Sequence, residues 1–130
     1  MPPKLSSRAQ VRLANLREFE HKIQRIYGLV EQYASNRADS ESLTNAIKRA
    51  LAQLKRDLLG AGFEQLSQLA GSMEIAAGRR TSQQAKSHIL REGVGSIRFQ
   101  VELEQRVTVS DDLAEQERKA KNEEGEPTQG

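Results

Sequence analysis

The residues of this 130-residue chain with the best-placed chemistry are cations. Gly78-Arg79-Arg80-Thr81-Ser82 joins two helical patterns. A helix starting at Ser82 would place two guanidinium groups and a hydroxyl around free backbone N–H groups and the positive end of a helix dipole, which suits a phosphate. Lys86 falls one turn further in. The competing reading of the same residues is an ordinary basic turn closed by a serine cap. Arg-Arg-Thr-Ser also has the form of a substrate pattern for basic-directed kinases. A second set repeats at seven-residue spacing, Lys48 with Lys55 and Arg49 with Arg56, all on the solvent half of a helical pattern. Clustered cations can neutralise a phosphate backbone and gain from counterion release. No aromatic residue interleaves them to stack bases, so binding here would read shape and charge rather than base edges. A solvated charged helix face is the alternative.

The residue types that catalysis needs are scarce. There is no cysteine and there are two histidines, so no thiolate nucleophile and no Cys-based metal site can form. His21 lies on a polar helix face; His88 has Glu92 four residues on but no second histidine near it, a weak match to a metal pair. Gly93 and Gly95 lack the strand and the remaining glycines of a phosphate-binding loop. The expectation is therefore a protein that is not an enzyme, with no catalytic residue, no metal and no cofactor.

The elements that carry these residues follow from hydrophobic spacing. Leu16, Phe19, Ile23, Ile26, Tyr27, Val30 and Tyr33 recur at steps of mostly three and four, which predicts one helix from Ser7 to about Ser35. Arg12 shares this stripe, its stem expected over the core and its guanidinium in water. Glu18 and Lys22 are spaced for an i,i+4 pair, and Gly28 reads as a tolerated surface glycine. After a turn over residues 36–40, capped by Asp39 or Ser40, a second helix carries Leu43, Ile47, Ala50, Leu51, Leu54 and Leu58. Gly60-Ala61-Gly62 ends it. A third helix, with Phe63, Leu66, Leu69, Ala70, Met73 and Ala77, stops at Gly78.

The last segment is ambiguous. Ala85, Ile89, Leu90, Val94, Ile97 and Val101 support a fourth helix from about Ser82 to Arg106, yet Ile97, Phe99, Val101, Leu103, Val107 and Val109 alternate as a strand would. The fold class expected is all-α, an antiparallel up-and-down four-helix bundle over residues 7–107, with a flexible arm at 1–6 and a polar, largely disordered acidic tail at 108–130. The alternative is three to four helices and a β-strand near 96–109 that pairs with another chain.

Composition bounds the rest. With 36% hydrophobic residues but only 4% aromatic and no tryptophan, the core must be aliphatic. No run approaches the roughly 18 apolar residues of a membrane span, so a cytoplasmic protein without a membrane partner is expected. The net charge of +2 conceals −4 on residues 108–130 and +6 on the body. Such an acidic tail would compete with nucleic acid for the basic patch.

Ile75-Ala76-Ala77-Gly78, Arg80, Ser82, Gly95-Ser96-Ile97 and the following Glu102-Leu103-Glu104 resemble the small four-helix-bundle family related to ribosomal protein twenty-three. Leu43-Thr44 and Lys48-Arg49-Ala50 resemble its second helix, with a longer spacing to Ile75 than the family pattern has. The family includes the accessory protein of diversity-generating retroelements. The resemblance implies a basic bundle that oligomerises and assists a nucleic-acid machine, with Arg79, Arg80 and Lys86 in the loop region that matters. The function expected is a non-enzymatic accessory protein that binds RNA or DNA through phosphates and docks on a larger nucleoprotein complex. The alternative is a self-associating structural module that uses the first-helix stripe or residues 97–109.

Overall fold

A computed structural model describes residues 4–35 and 40–125. It consists of α1 (Ser7–Ser35), α2 (Ser40–Gly60), α3 (Glu64–Gly78) and α4 (Gln83–Gly125). Each helix packs on its neighbours in sequence and α4 closes back on α1, while the backbones of the diagonal pairs stay apart and meet only through core side chains. This is the four-helix bundle that the short connections require. The stripe of α1 contributes more to the core than any other helix: Leu16, Phe19, Ile23, Ile26, Val30 and Tyr33 meet Ile47, Leu51, Leu54 and Leu58 of α2, Leu66, Ala70, Met73 and Ala77 of α3, and Leu90, Val94, Ile97 and Val101 of α4. Since α1 spends this stripe internally, it offers no apolar surface for self-association along that face.

The hairpin between α2 and α3 turns on Gly62, whose φ of +87° only glycine adopts without strain. Its N–H donates to the Leu59 carbonyl at 3.1 Å and that of Phe63 to the Leu58 carbonyl at 2.9 Å, which closes the end of α2 in a Schellman motif. Phe63 then seals this end of the core, edge-on to Phe19 with ring centroids 5.8 Å apart. Arg12 covers the other face of the seal. Its guanidinium sits 4.3 Å from the Phe63 centroid and donates to Thr108 Oγ1 and Glu104 Oε2, each at 3.2 Å. The guanidinium expected in open water is therefore a tie between α1, α3 and α4. Lys22 likewise passes over Glu18 and bridges to Asp57 on α2 at 2.9 Å.

α4 is 43 residues long, about 64 Å at about 1.5 Å per residue, and outruns α2 and α3. It continues 19 residues past the end expected at Arg106, so the boundary expected at 107 falls inside a helix. Residues 126–130 lie outside the described residues. The reason is tertiary. Thr108 is buried against the first turns of α1, and the Asp112 carboxylate accepts both the N–H of Ser6, at 2.9 Å, and the Ser6 hydroxyl. The Ser6 oxygen in turn accepts the Ala9 N–H at 3.2 Å. α1 has no acid in its own first turn, and α4 supplies one to its positive dipole end. Gln116 donates to the Lys4 carbonyl at 2.9 Å, so the arm expected at 1–6 is tied down from Lys4 onward; Met1 to Pro3, like Asp39, fall outside the described residues.

No strand is present among the described residues. The alternation at 97–109 is two helical stripes offset by two residues: Ile97 and Val101 point into the core, whereas Phe99, Leu103 and Val107 point out, with Phe99 57% exposed. Glycine is admitted into α4 for a reason at one of two places. A Cβ on Gly93 would come 2.8 Å from Met73 Cγ, so this glycine sets how closely α3 approaches; a Cβ on Gly95 would meet nothing within 4 Å. Replacing Gly95 with alanine is therefore expected to stabilise the fold by about 0.5–1 kcal/mol, the helix-propensity difference. Gly93→Ala forfeits that gain by displacing Met73, and denaturant titration of the two variants side by side measures the difference.

Candidate nucleic-acid interface

α2 and α3 pack closely because α3 presents small residues to α2. Ser67 is buried and its hydroxyl donates to the Lys55 carbonyl at 2.9 Å. About one and about three turns later, Gly71 and Gly78 leave α3 flat where the lysine stems of α2 cross it. A Cβ at Gly71 would lie 3.5 Å from Lys55 Cδ, and one at Gly78 would lie 3.5 Å from Lys48 Cε. The two stems thus cross α3 over these glycines, with Lys48 half-buried and Lys55 exposed.

The result is an open groove of about 810 Å³ between α2 and α3, which Lys48, Lys55 and Arg79 line together with Ser72 and the exposed apolar side chains Leu59 and Ile75. None of the three cations has an ion-pair partner among the described residues. Glu64 and Glu74 also line the groove and lower its net positive charge. The combination suits an anion presented on a partly apolar framework, since the cations can meet phosphate oxygens while Leu59 and Ile75 cover sugar or side-chain carbon.

The other residues singled out in the sequence go elsewhere. Adjacent residues on a helix are turned about 100° apart, so Arg49 and Arg56 leave the groove that Lys48 and Lys55 line. Arg49 Nε donates to the Asn45 carbonyl at 3.4 Å, and Arg56 donates to Gln53 Oε1 at 2.9 Å beside Asp57. Arg80 is exposed in the α3–α4 connection and does not line the groove. Ser82 is the cap of α4, its Oγ accepting the Ala85 N–H at 3.1 Å, so part of the free N-terminus is already satisfied. Lys86 turns towards α1, its Nζ 5.9 Å from the Tyr33 ring centroid. The phosphate nest expected from Arg79, Arg80, Ser82 and Lys86 together is not assembled; Arg79 alone of these joins the two lysines of α2. Leu59 and Gly71 carry no expectation from the sequence, and Ile75 and Gly78 none as groove residues, although Ser67, Gly71 and Gly78 are spaced to face one neighbouring helix.

His88 meets Glu92 at 3.1 Å on an exposed face, and no group of three possible metal ligands occurs among the described residues. No helix there is long and apolar enough to cross a membrane. Acidic residues 111–123 are held in α4 at the end of the bundle opposite Arg79, with about 40 Å of helix between Lys86 and Asp112. Within one molecule they therefore do not compete for that end of the groove. No protein-family model, no curated protein and no solved structure matches the chain.

Three carboxylates are held below their ordinary pKa: Asp57 by the Lys22 ammonium and Gln53, Glu31 by the Arg91 guanidinium at 2.7 Å, and Asp112 by the hydroxyl and N–H of Ser6. A carboxylate depressed in the fold contributes stability above its unfolded pKa and loses it as pH falls through the folded value. Stability is thus expected to drop as pH falls below about 4. Asp57→Asn lowers stability at neutral pH and makes that acid limb shallower, which thermal unfolding followed across pH checks.

Proposed function

We propose that this protein is a non-enzymatic accessory factor that binds RNA or DNA through phosphate contacts and works as part of a larger nucleoprotein assembly in the cytoplasm. The observation that supports it is the convergence of Lys48, Lys55 and Arg79, none of them ion-paired among the described residues, on one groove between α2 and α3. Two lysines seven residues apart on one helix lie roughly 10 Å apart, a spacing within the reach of phosphates along one strand. The likeness of Ile75 to Gly78 and Gly95 to Ile97 to the bundle family named above points the same way.

A second reading, a self-associating structural module, is favoured by the outward face of α4, where Phe99, Leu103 and Val107 remain exposed.

Salt separates the two. Binding of generic RNA and DNA, followed by fluorescence anisotropy at increasing salt, is expected to weaken steeply. The variant carrying Lys48→Glu, Lys55→Glu and Arg79→Glu loses it and lowers the log–log salt slope by about 3, roughly 1 per phosphate contact. Arg49→Glu with Arg56→Glu, which lie outside the groove, has a smaller effect. Binding that ignores salt, or that survives the triple reversal, would sink the phosphate reading.

A further inference from the structure

The outward stripe of α4 has a property beyond being apolar. Counting both ways from Leu103, Phe99 and Val107 lie four residues out and Ser96 and Ser110 seven, so the stripe reads small, large, large, large, small from either end. Leu103 and Val107 are 40% and 42% exposed, and the stripe lies on the side of α4 away from Ile97 and Val101, where no helix of this chain covers it. A face that reads alike in both directions is self-complementary for an antiparallel copy of itself, the requirement of an isologous two-fold interface.

Charge selects the same direction. From Arg79 to Arg91 the chain carries Arg79, Arg80, Lys86 and Arg91 and no acid, although Lys86 leans on Tyr33 and Arg91 pairs with Glu31; from Asp111 to Glu117 it carries Asp111, Asp112, Glu115 and Glu117 and no base, with Asp112 bonded to Ser6 and Arg118, Lys119 and Lys121 following. An antiparallel pair sets the acidic end of each α4 towards the basic end of the other, whereas a parallel pair stacks like on like. Nearer the centre, Glu102 and Arg106 are exposed and have no ion pair among the described residues. In the register centred on Leu103 each arginine falls within about a turn of the other copy's glutamate.

We infer that the outward face of α4 binds a second copy of this chain, antiparallel and two-fold about Leu103, with Phe99 of each copy packed against Val107 of the other. The inference rests on the self-association reading and is independent of phosphate binding, since the groove between α2 and α3 is on another side of the bundle. Three large apolar side chains per copy are few beside the roughly 800 Å² per partner of a standard stable interface. The dimer is therefore weak and concentration-dependent.

The natural absence of cysteine gives a direct test. Leu103→Cys places identical thiols across the two-fold axis, so mild oxidation of the full chain yields a disulfide-linked dimer, while Ile75→Cys, more exposed than Leu103 but on α3, does not. Phe99→Cys and Val107→Cys each cross-link poorly alone and efficiently when mixed, which a parallel pair cannot reproduce. Sedimentation of the cysteine-free chain shows a monomer–dimer equilibrium that Leu103→Glu weakens at least about tenfold, with circular dichroism unchanged. A monomer at every concentration, a dimer indifferent to Leu103→Glu, or cross-linking at Ile75 equal to that at Leu103 overturns the inference. A Leu103→Glu monomer that still binds RNA leaves the phosphate reading intact, so the two fail separately.

Discussion

The fold depends on the seam between α1 and α4. A chain without cysteine and with few aromatics has no staple to fall back on, so a continuous aliphatic contact must hold it. α1 and α4 are the two helices long enough to provide one. Along the shared length the seam is closed by Leu16, Ile23 and Val30 against Leu90, Ile97 and Val101, all nearly inaccessible. Towards the start of α1, where Ala9 and Leu13 are still buried, polar ties join it: Arg12 to Glu104 and Thr108 beside Phe63, and Asp112 to Ser6. Glu31 with Arg91 pins the far end. Burial drives the middle of the pair, and hydrogen bonds to charged groups fix its register at both ends.

That division explains what the sequence discloses and what it hides. The span of α1 is legible because the 3.6-period apolar spacing from Leu16 to Tyr33 has no competing explanation. The end of α2 is legible because Gly60-Ala61-Gly62 has the chemistry of a Schellman turn. The end of α4 is not, because residues 108–123 contain almost nothing that a helix must bury; their order comes from partners about a hundred positions away, Ser6 and Lys4, and from exposed pairs such as Arg118 with Glu115 and Lys121 with Glu117. Alternation at 97–109 misleads for a different reason. Two stripes on opposite sides of one helix, offset by two residues, reproduce the period of a strand.

The cations show the same limit at a finer scale. Heptad spacing puts Lys48 with Lys55 and Arg49 with Arg56 on the solvent half of α2, and that much is visible in the residues. It does not say which of the two rows borders α3. The border is decided by Ser67, Gly71 and Gly78, whose small size is silent about charge, and only the pairing of α2 with α3 makes them part of a basic groove. In the same way the loop arginines look alike in sequence, yet the turn after Gly78 aims Arg79 at the groove and leaves Arg80 outside it.

Glycine, more than charge, therefore sets the shape of this surface. Lysine stems carry substantial rotamer entropy, and small residues on α3 leave room for them to lie across it. A Cβ at Gly71 or Gly78 would touch the stems at ordinary contact distance without colliding. Gly93 does the corresponding work on the opposite side of α3, where Met73 fills the space a Cβ would need. α3, the shortest helix, is thus held close to α4 by a missing side chain, while its flank toward α2 accommodates the lysine stems over small residues.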